Sequence, residues 1–368
     1  MIKYLGSKRN LVPALAAMAR AVGARTALDL FAGTTRVAQE LKRGGLEVTA
    51  VDIATYTEVL AQCFVATDAD AVDRRALQTA VDELAGLPGV RGYFTRTFCE
   101  QSRFFQPKNG MRVDAIRSAI EQRHAGSPLY PILLTALLLA ADRVDSTTGV
   151  QMAYLKQWAP RAHRDLELRV PDLLPGPGVA IRADALDVVP TLPRVDLAYV
   201  DPPYNQHRYF TNYHVWETLV RWDAPDHYGV ACKRIDSRDA GTKSVFNRRR
   251  EMPAALRQVL TNIAADVVIV SYNDEAWVRP SDIADWLRDA GHPDVQIIGF
   301  DSKRYVGAQI GIHDPGGRKV GTVSHLRNTE YVVVAGPADA VDAAIAAALG
   351  QPTLTVAAVL PSGARSAN

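Results

Sequence analysis

Two periodicities divide the chain. Near its start, short apolar runs alternate with helical patterns. Thr26–Phe31 reads as a strand that ends on the small-residue turn Ala32-Gly33-Thr34-Thr35, and a helix follows to about Arg43. Gly44-Gly45 breaks that helix, and Glu47–Ile53 is a second strand, with Asp52 at its end. Strand, crossover helix and strand make the unit from which parallel sheets are built. From about Thr57 to Leu174 strand signals vanish. Helical spacing takes over in Arg74–Leu87, Arg91–Phe105, Arg112–Arg123 and Leu129–Arg143, as in the apolar set Val113, Ile116 and Ile120. The turn-rich Pro171–Gly178 closes this stretch. Strands resume at Val179–Arg182, Val195–Val200, Asp266–Tyr272, Asp294–Phe300 and Tyr331–Val334, with a helix at Ser281–Ala290 capped by Ser281 or Asp282. The glycine-rich Val306–Val323 reads as a mobile loop, the alanine-rich segment after Pro337 as one helix, and Pro361–Asn368 as a disordered tail.

Composition narrows the class. Of 368 residues 48% are hydrophobic and 22% charged, which excludes a mainly disordered chain. The N-terminus has no secretory pattern. The apolar run Leu129–Ala141 falls short of the about 20 residues a membrane span needs and reads as a buried helix. Cys63, Cys99 and Cys232 are widely spaced, which fits neither a disulfide framework nor a Cys-x-x-Cys metal pair and points to a reducing cytoplasm. Net charge is only +2. Basic residues nevertheless gather in Arg91–Arg123, with Arg96, Arg103, Lys108, Arg112 and Arg117, and in Lys233–Arg250, with Arg234, Arg238, Lys243, Arg248 and Arg249. Both are candidate phosphate-facing surfaces.

The chemistry concentrates at strand ends, where open α/β sheets bind ligands. Asp201-Pro202-Pro203-Tyr204 directly follows the apolar strand 195–200. The two prolines stiffen the backbone and remove two N–H donors. An acid, a proline carbonyl and an aromatic ring together suit a flat molecule with an amino group. The ring stacks on its face, while the two oxygens accept from the NH₂ and draw its lone pair out of conjugation. The turn Asp29-Leu30-Phe31-Ala32-Gly33-Thr34 lets a ligand approach the backbone at Gly33, and Asp52 stands where an acid grips ribose hydroxyls. The Gly-x-Gly-x-x-Gly of dinucleotide sites is missing, because Gly33 is followed by Thr34-Thr35-Arg36. A nucleoside without a pyrophosphate, such as S-adenosylmethionine, fits. Taken alone, Lys3-Tyr4-Leu5-Gly6-Ser7-Lys8 is a basic chain end.

In order, KYLGSK at 3, DLFAGT at 29, Asp52 and Asp184 after strands, and DPPY at 201 resemble the class-alpha, Dam-like adenine-specific DNA methyltransferases. The resemblance implies an α/β, Rossmann-like methyltransferase sheet, mostly parallel with an antiparallel edge hairpin, plus an inserted helical target-recognition domain. The implied division is residues 1–58 and 178–336 for the methyltransferase domain, 59–177 for the insertion and 337–368 for a helix and tail. It implies S-adenosyl-L-methionine as cofactor, with Tyr4 and Lys8 in contact with it. Asp29, Phe31 and Gly33 would line its methionine side, Asp52 its ribose and Asp184 its adenine. Asp201, also adjoining the cofactor, would act with the Pro202 carbonyl and Tyr204 on the target base. Thr35 stands where relatives often carry a second glycine, and Tyr4 where they often carry tryptophan. The segment 205–250 is longer than in the smallest members. Members that act on protein glutamine tend to have Asn at the first position of the tetrapeptide, so Asp201 favours adenine. The expected activity is site-specific adenine-N(6) methylation of double-stranded DNA in the bacterial cytoplasm or nucleoid. No metal and no membrane are expected, and a cognate restriction endonuclease is a possible partner.

Overall fold

The structure is a computed structural model that describes residues 2–4, 8–203, 208–303, 327–352 and 354–360. The expected loop 306–323, the tail 361–368 and Tyr204 lie outside the described residues. Two compact units emerge. One comprises 1–7, 53–182 and 207–244, the other 8–52, 183–206 and 245–368.

The first unit is mainly helical. Its longest helices are Pro107–His124 and Tyr130–Val144, where the sequence pattern places helices, and Ile132–Leu138 is buried as its apolar run requires. The core joins this run to Val113, Ile116, Ile120, Phe94, Phe98, Phe104 and Phe105. It also takes in Tyr213, Val215, Trp216 and Leu219 from the helix His214–Arg221 and its approach. The helical unit therefore reaches beyond the expected 59–177, because an amphipathic helix after DPPY buries its apolar face there. The expected helix 91–105 is divided into a short turn, Tyr93–Thr95, and a π-helical stretch, Arg96–Gln101. Gly110 explains the close packing here, since a Cβ added to it would collide with Cys99 Sγ. The short strand Gly178–Arg182 closes the unit's central segment, with Arg182 donating to Thr55 Oγ1 at 2.8 Å.

The second unit holds the sheet. Its strands are β1 (Thr26–Leu30), β2 (Glu47–Asp52), β3 (Val195–Val200), β4 (Ala265–Asn273), β5 (Asp294–Lys303), β6 (Arg327–Gly336) and β7 (Val356–Leu360). They run β7-β5-β6-β4-β3-β1-β2 across the unit. β2, β1, β3 and β4 are mutually parallel, whereas β6, β5 and β7 add antiparallel. The parallel strands are near-continuous apolar runs, as strands buried on both faces are. This is the expected mostly parallel, Rossmann-like sheet with an antiparallel edge. β7 is an addition. The expected helix after Pro337, Ala338–Leu349, is followed by a strand paired to β5. One correction concerns the helix Pro280–Asp289. Its cap is Arg279, and Asp282 lies in the first turn, accepting from the Arg279 backbone N–H at 3.3 Å. No helix among the described residues is long and apolar enough to cross a membrane.

Candidate active site

Register brings the acids together. Leu30 pairs with Val51 and with Val200, and Val200 pairs with Val270. The residues that follow those positions, Phe31, Asp52, Asp201 and Ser271, therefore share the carboxyl edge of the sheet. Two backbone bonds tie the edge together, Ala32 N–H to Val51 O at 3.0 Å and Asp201 N–H to Leu30 O at 3.4 Å.

The turn after β1 is built under strain. Phe31, Gly33 and Thr35 have φ of 67°, 51° and 59°. Glycine takes such values freely, but a β-branched threonine rarely does. Such strain persists where the surroundings over-determine it, and it collects at ligand sites. Here the surroundings are identifiable. Thr35, the N-cap of the helix Arg36–Arg43, makes no side-chain cap bond. Asp29, buried beneath the turn, supplies the missing acceptor, taking the Ala38 N–H at 2.9 Å. Asp52 accepts from Gly33 N–H at 2.9 Å, and Phe31 packs edge-on to Phe246 at 4.9 Å. Burial, reinforced by the nearby charges of Asp201 and Asp52, pushes the Asp29 carboxyl up to about 7, against the lowering effect of the Ala38 bond.

Asp201 is mostly buried, and burial raises its pKa while Lys8 and Ser271 oppose the rise. Lys8 Nζ lies 3.1 Å from its Oδ1, and Ser271 Oγ donates to the same oxygen at 3.0 Å. Tyr199 Oη is 2.7 Å from Ser271 Oγ and steadies that hydroxyl from within the sheet. Lys8 Nζ also pairs with Glu330 Oε1.

The expected site residues divide between the units. Lys8, Asp29, Phe31, Gly33, Asp52, Asp184, Asp201 and Pro202 belong to the second unit. Lys8 binds the acid of the tetrapeptide, a contact that the sequence does not predict. Asp184 caps the short helix Ala185–Val188, accepting from Leu186 N–H at 2.9 Å. Tyr4 lies in the first unit, stacked on Tyr213 at 4.8 Å and Tyr209 at 5.3 Å. Sequence reasoning missed Tyr199, Ser271 and Glu330. The only signal was a polar residue at the end of an apolar strand, Ser271 closing DVVIVS and Glu330 opening EYVVV.

The two basic stretches also divide. In the first, Arg117 is buried and donates to Leu219 O and Val220 O at 2.9 Å each, and Arg112 binds Ala85 O at 2.6 Å. Lys108 pairs with Asp165 at 2.6 Å. Arg112 and Arg117 are therefore scaffold, whereas Arg91, Arg96, Lys108 and Arg123 are exposed. In the second, Arg234 is buried between Asp223 and Asp236 at 2.7 Å each, whereas Arg249 and Arg250 are exposed.

Residues 4–267 match the model of the D12 class N6 adenine-specific DNA methyltransferases. The chain belongs to that family. It is 28% identical over 306 residues to the modification methylase StsI of Streptococcus sanguinis, which covers 78% of this chain and 46% of that enzyme. It is 27% identical over 277 residues to the type II methyltransferase M.CviAII of Paramecium bursaria Chlorella virus 1, covering 73% of this chain and 81% of the viral protein. M.NlaIII of Neisseria lactamica is 27% identical over 278 residues, covering 73% and 80% respectively. The chain thus spans about half the length of the StsI enzyme and most of the other two.

Proposed function

We propose that the protein is a site-specific, S-adenosylmethionine-dependent DNA methyltransferase that methylates the amino nitrogen of an adenine flipped out of double-stranded DNA. The observation that carries this reading is Asp201. A mostly buried carboxylate is held at the sheet's carboxyl edge by described residues through one oxygen, Oδ1. No described residue donates to Oδ2, which is the acceptor for a substrate amino hydrogen.

The residues fit the cofactor. The φ values of Phe31 and Gly33 thin the turn where a ligand approaches. Asp29 and Asp52 offer carboxylates to a cationic methionine portion and to ribose hydroxyls, with Asp184 beyond. The bound cofactor supplies a methyl group on a sulfonium, a good leaving group that needs no metal.

The chain's own work is positioning and polarisation. Asp201 Oδ2 and the Pro202 carbonyl accept the two amino hydrogens and turn the nitrogen lone pair toward the methyl donor. The nitrogen becomes cationic on transfer and then sheds its proton readily, so no strong base is required. Extruding the base costs a few kcal/mol, and stacking on Tyr204 would return about 1–3 kcal/mol of that. The first unit is the proposed target-recognition part, with exposed Arg96 among its phosphate contacts. Relatives named as modification methylases support a place beside a cognate restriction endonuclease, and a DNA substrate supports a cytoplasmic or nucleoid location.

Single-turnover methylation of matched and mismatched duplexes tests the reading. Asp201→Ala is expected to lose at least about 10³-fold in rate with cofactor and DNA still bound. Tyr204→Phe should remain active. Tyr204→Ala should be badly impaired and recover in part on a mismatched adenine, which is easier to extrude. An active Asp201→Ala enzyme overturns the mechanism, and equal defects in the two Tyr204 variants overturn the stacking role.

A further inference from the structure

We infer that Glu330 is a positioning residue for methyl transfer, acting through Lys8 to keep the Asp201 carboxylate both fixed and strongly accepting. The inference rests on the methyltransferase reading above and extends it to a residue outside the recognised motifs.

Three adjacent strands carry the arrangement. β6, β4 and β3 lie side by side and present Glu330, Ser271 and Asp201 in turn. Glu330 is set by register, opposite Asn273 on β4 and Phe300 on β5. Lys8 reaches this row from the start of α1 (Val12–Ala21). Its own carbonyl takes the N–H groups of Leu11 and Val12 at 2.8 and 2.9 Å, which fixes its backbone. Its side chain is 7% exposed, and its ammonium pairs with both Glu330 and Asp201.

One ammonium between two largely buried carboxylates, 20% and 16% exposed, cannot neutralise both. If Lys8 faced Asp201 alone, the buried pair would attract strongly, and Asp201 would be a poorer acceptor for a third donor. Glu330 takes part of the ammonium's field. Lys8 then holds Oδ1 in place without cancelling the charge that Oδ2 presents to the amino group. Burial raises the pKa of Glu330, and Lys8 works against that rise, as a shared cation should. Glu330 touches neither the base nor the methyl donor in this scheme. Its effect should therefore fall on turnover and vanish when Lys8 is gone.

The test is a double-mutant cycle on the full chain with an unmethylated DNA substrate, measuring kcat, the dissociation constants of cofactor and DNA, and thermal melting. Glu330→Gln keeps the shape and removes the charge. It should lose about 10–100-fold in kcat, with both dissociation constants within about threefold of wild type. Glu330→Asp, which keeps the charge at shorter reach, should fall between the two. Lys8→Met should lose more than Glu330→Gln, and the double variant should lose no more than Lys8→Met alone, because the two act as one unit. Losses that multiply, an unaltered kcat in Glu330→Gln, or a loss confined to cofactor binding each overturn the positioning role while leaving the methyltransferase reading intact. A wild-type enzyme inactive on every DNA tested overturns both. If Glu330→Gln does not melt cooperatively, Glu330→Asp carries the test, and a wild-type kcat in it overturns the role.

Discussion

Asp114 in the helical unit and Asp29 in the sheet unit are both buried acids, and they are kept in opposite ways. Asp114 accepts the backbone N–H groups of Gly92, Phe94 and Thr95 at 2.8–3.0 Å and the Thr95 hydroxyl at 2.6 Å. Asp29 takes one N–H and stands beside two further acids. Nearby groups extend the contrast. Arg117 and Arg234 are saturated with carbonyl and carboxylate partners, and Glu217 caps the helix Thr55–Ala61 through Thr55 and Tyr56 N–H at 3.1 and 3.3 Å. At the sheet edge, Asp201 and Glu330 share one lysine. A fully partnered buried charge specifies a fold. A crowded, under-partnered one is held ready for a ligand that will complete it.

The contrast breaks first at Asp114. Asp114→Ala orphans the buried N–H groups of Phe94 and Thr95 and the half-buried one of Gly92. Each buried donor left unsatisfied costs about 1–3 kcal/mol, so the variant should lose on the order of 3–5 kcal/mol. Chemical denaturation should show that loss, and a variant within about 1 kcal/mol of wild type would mean that the Gly92–Thr95 turn does not depend on it.

Asp29→Asn should act in the other direction. The folded carboxyl binds a proton up to about pH 7, whereas the unfolded one releases it near 3.8. The folded state therefore holds the extra proton between those values, and wild-type stability falls as pH rises through that window. The gap corresponds to on the order of 4 kcal/mol. Asparagine keeps an acceptor for Ala38 and cannot ionise. The variant should be more stable than wild type at pH 8, equal to it below pH 4, and weaker in cofactor binding. Denaturation across pH 4–8 reads this directly, and parallel stability curves for the two proteins would sink it.

How much of this was legible in the sequence follows from the same contrast. The strands β1 to β4, the turn at Gly33 and the acids Asp29, Asp52 and Asp201 were readable because each is a local pattern, an apolar run with its polar terminus. Lys8, Ser271 and Glu330 were not recognised as a set, because their meeting depends on strand order. Lys8 and Glu330 are 322 residues apart, and only the antiparallel addition of β6 beside β4 brings them together. The capture of 207–244 by the helical unit was hidden for a similar reason. The apolar face of His214–Arg221 has a helical period that says what is buried but not against which partner. The first basic stretch misled because charge in a sequence carries no burial. Arg117 reads like any surface arginine until its two backbone carbonyl partners are seen.

That last point sets the smallest predicted effect. Counterion release makes log K fall with log[salt] by about 0.9 for each phosphate neutralised. Arg249 and Arg250 are exposed, while their neighbour Arg248 pairs with Glu251 at 2.9 Å. If both exposed arginines meet phosphates, Arg249→Ala/Arg250→Ala should flatten the slope by about 1.8, with melting temperature unaffected. Arg112→Ala provides the contrast. Its guanidinium binds Ala85 and Leu87 carbonyls, so it should lower the melting temperature and leave the slope alone. Fluorescence anisotropy of a labelled duplex over a salt series separates the two. An unaltered slope in the double variant would place Arg249 and Arg250 in solvent, and a flattened slope in Arg112→Ala would show that the first stretch faces DNA despite its internal partners.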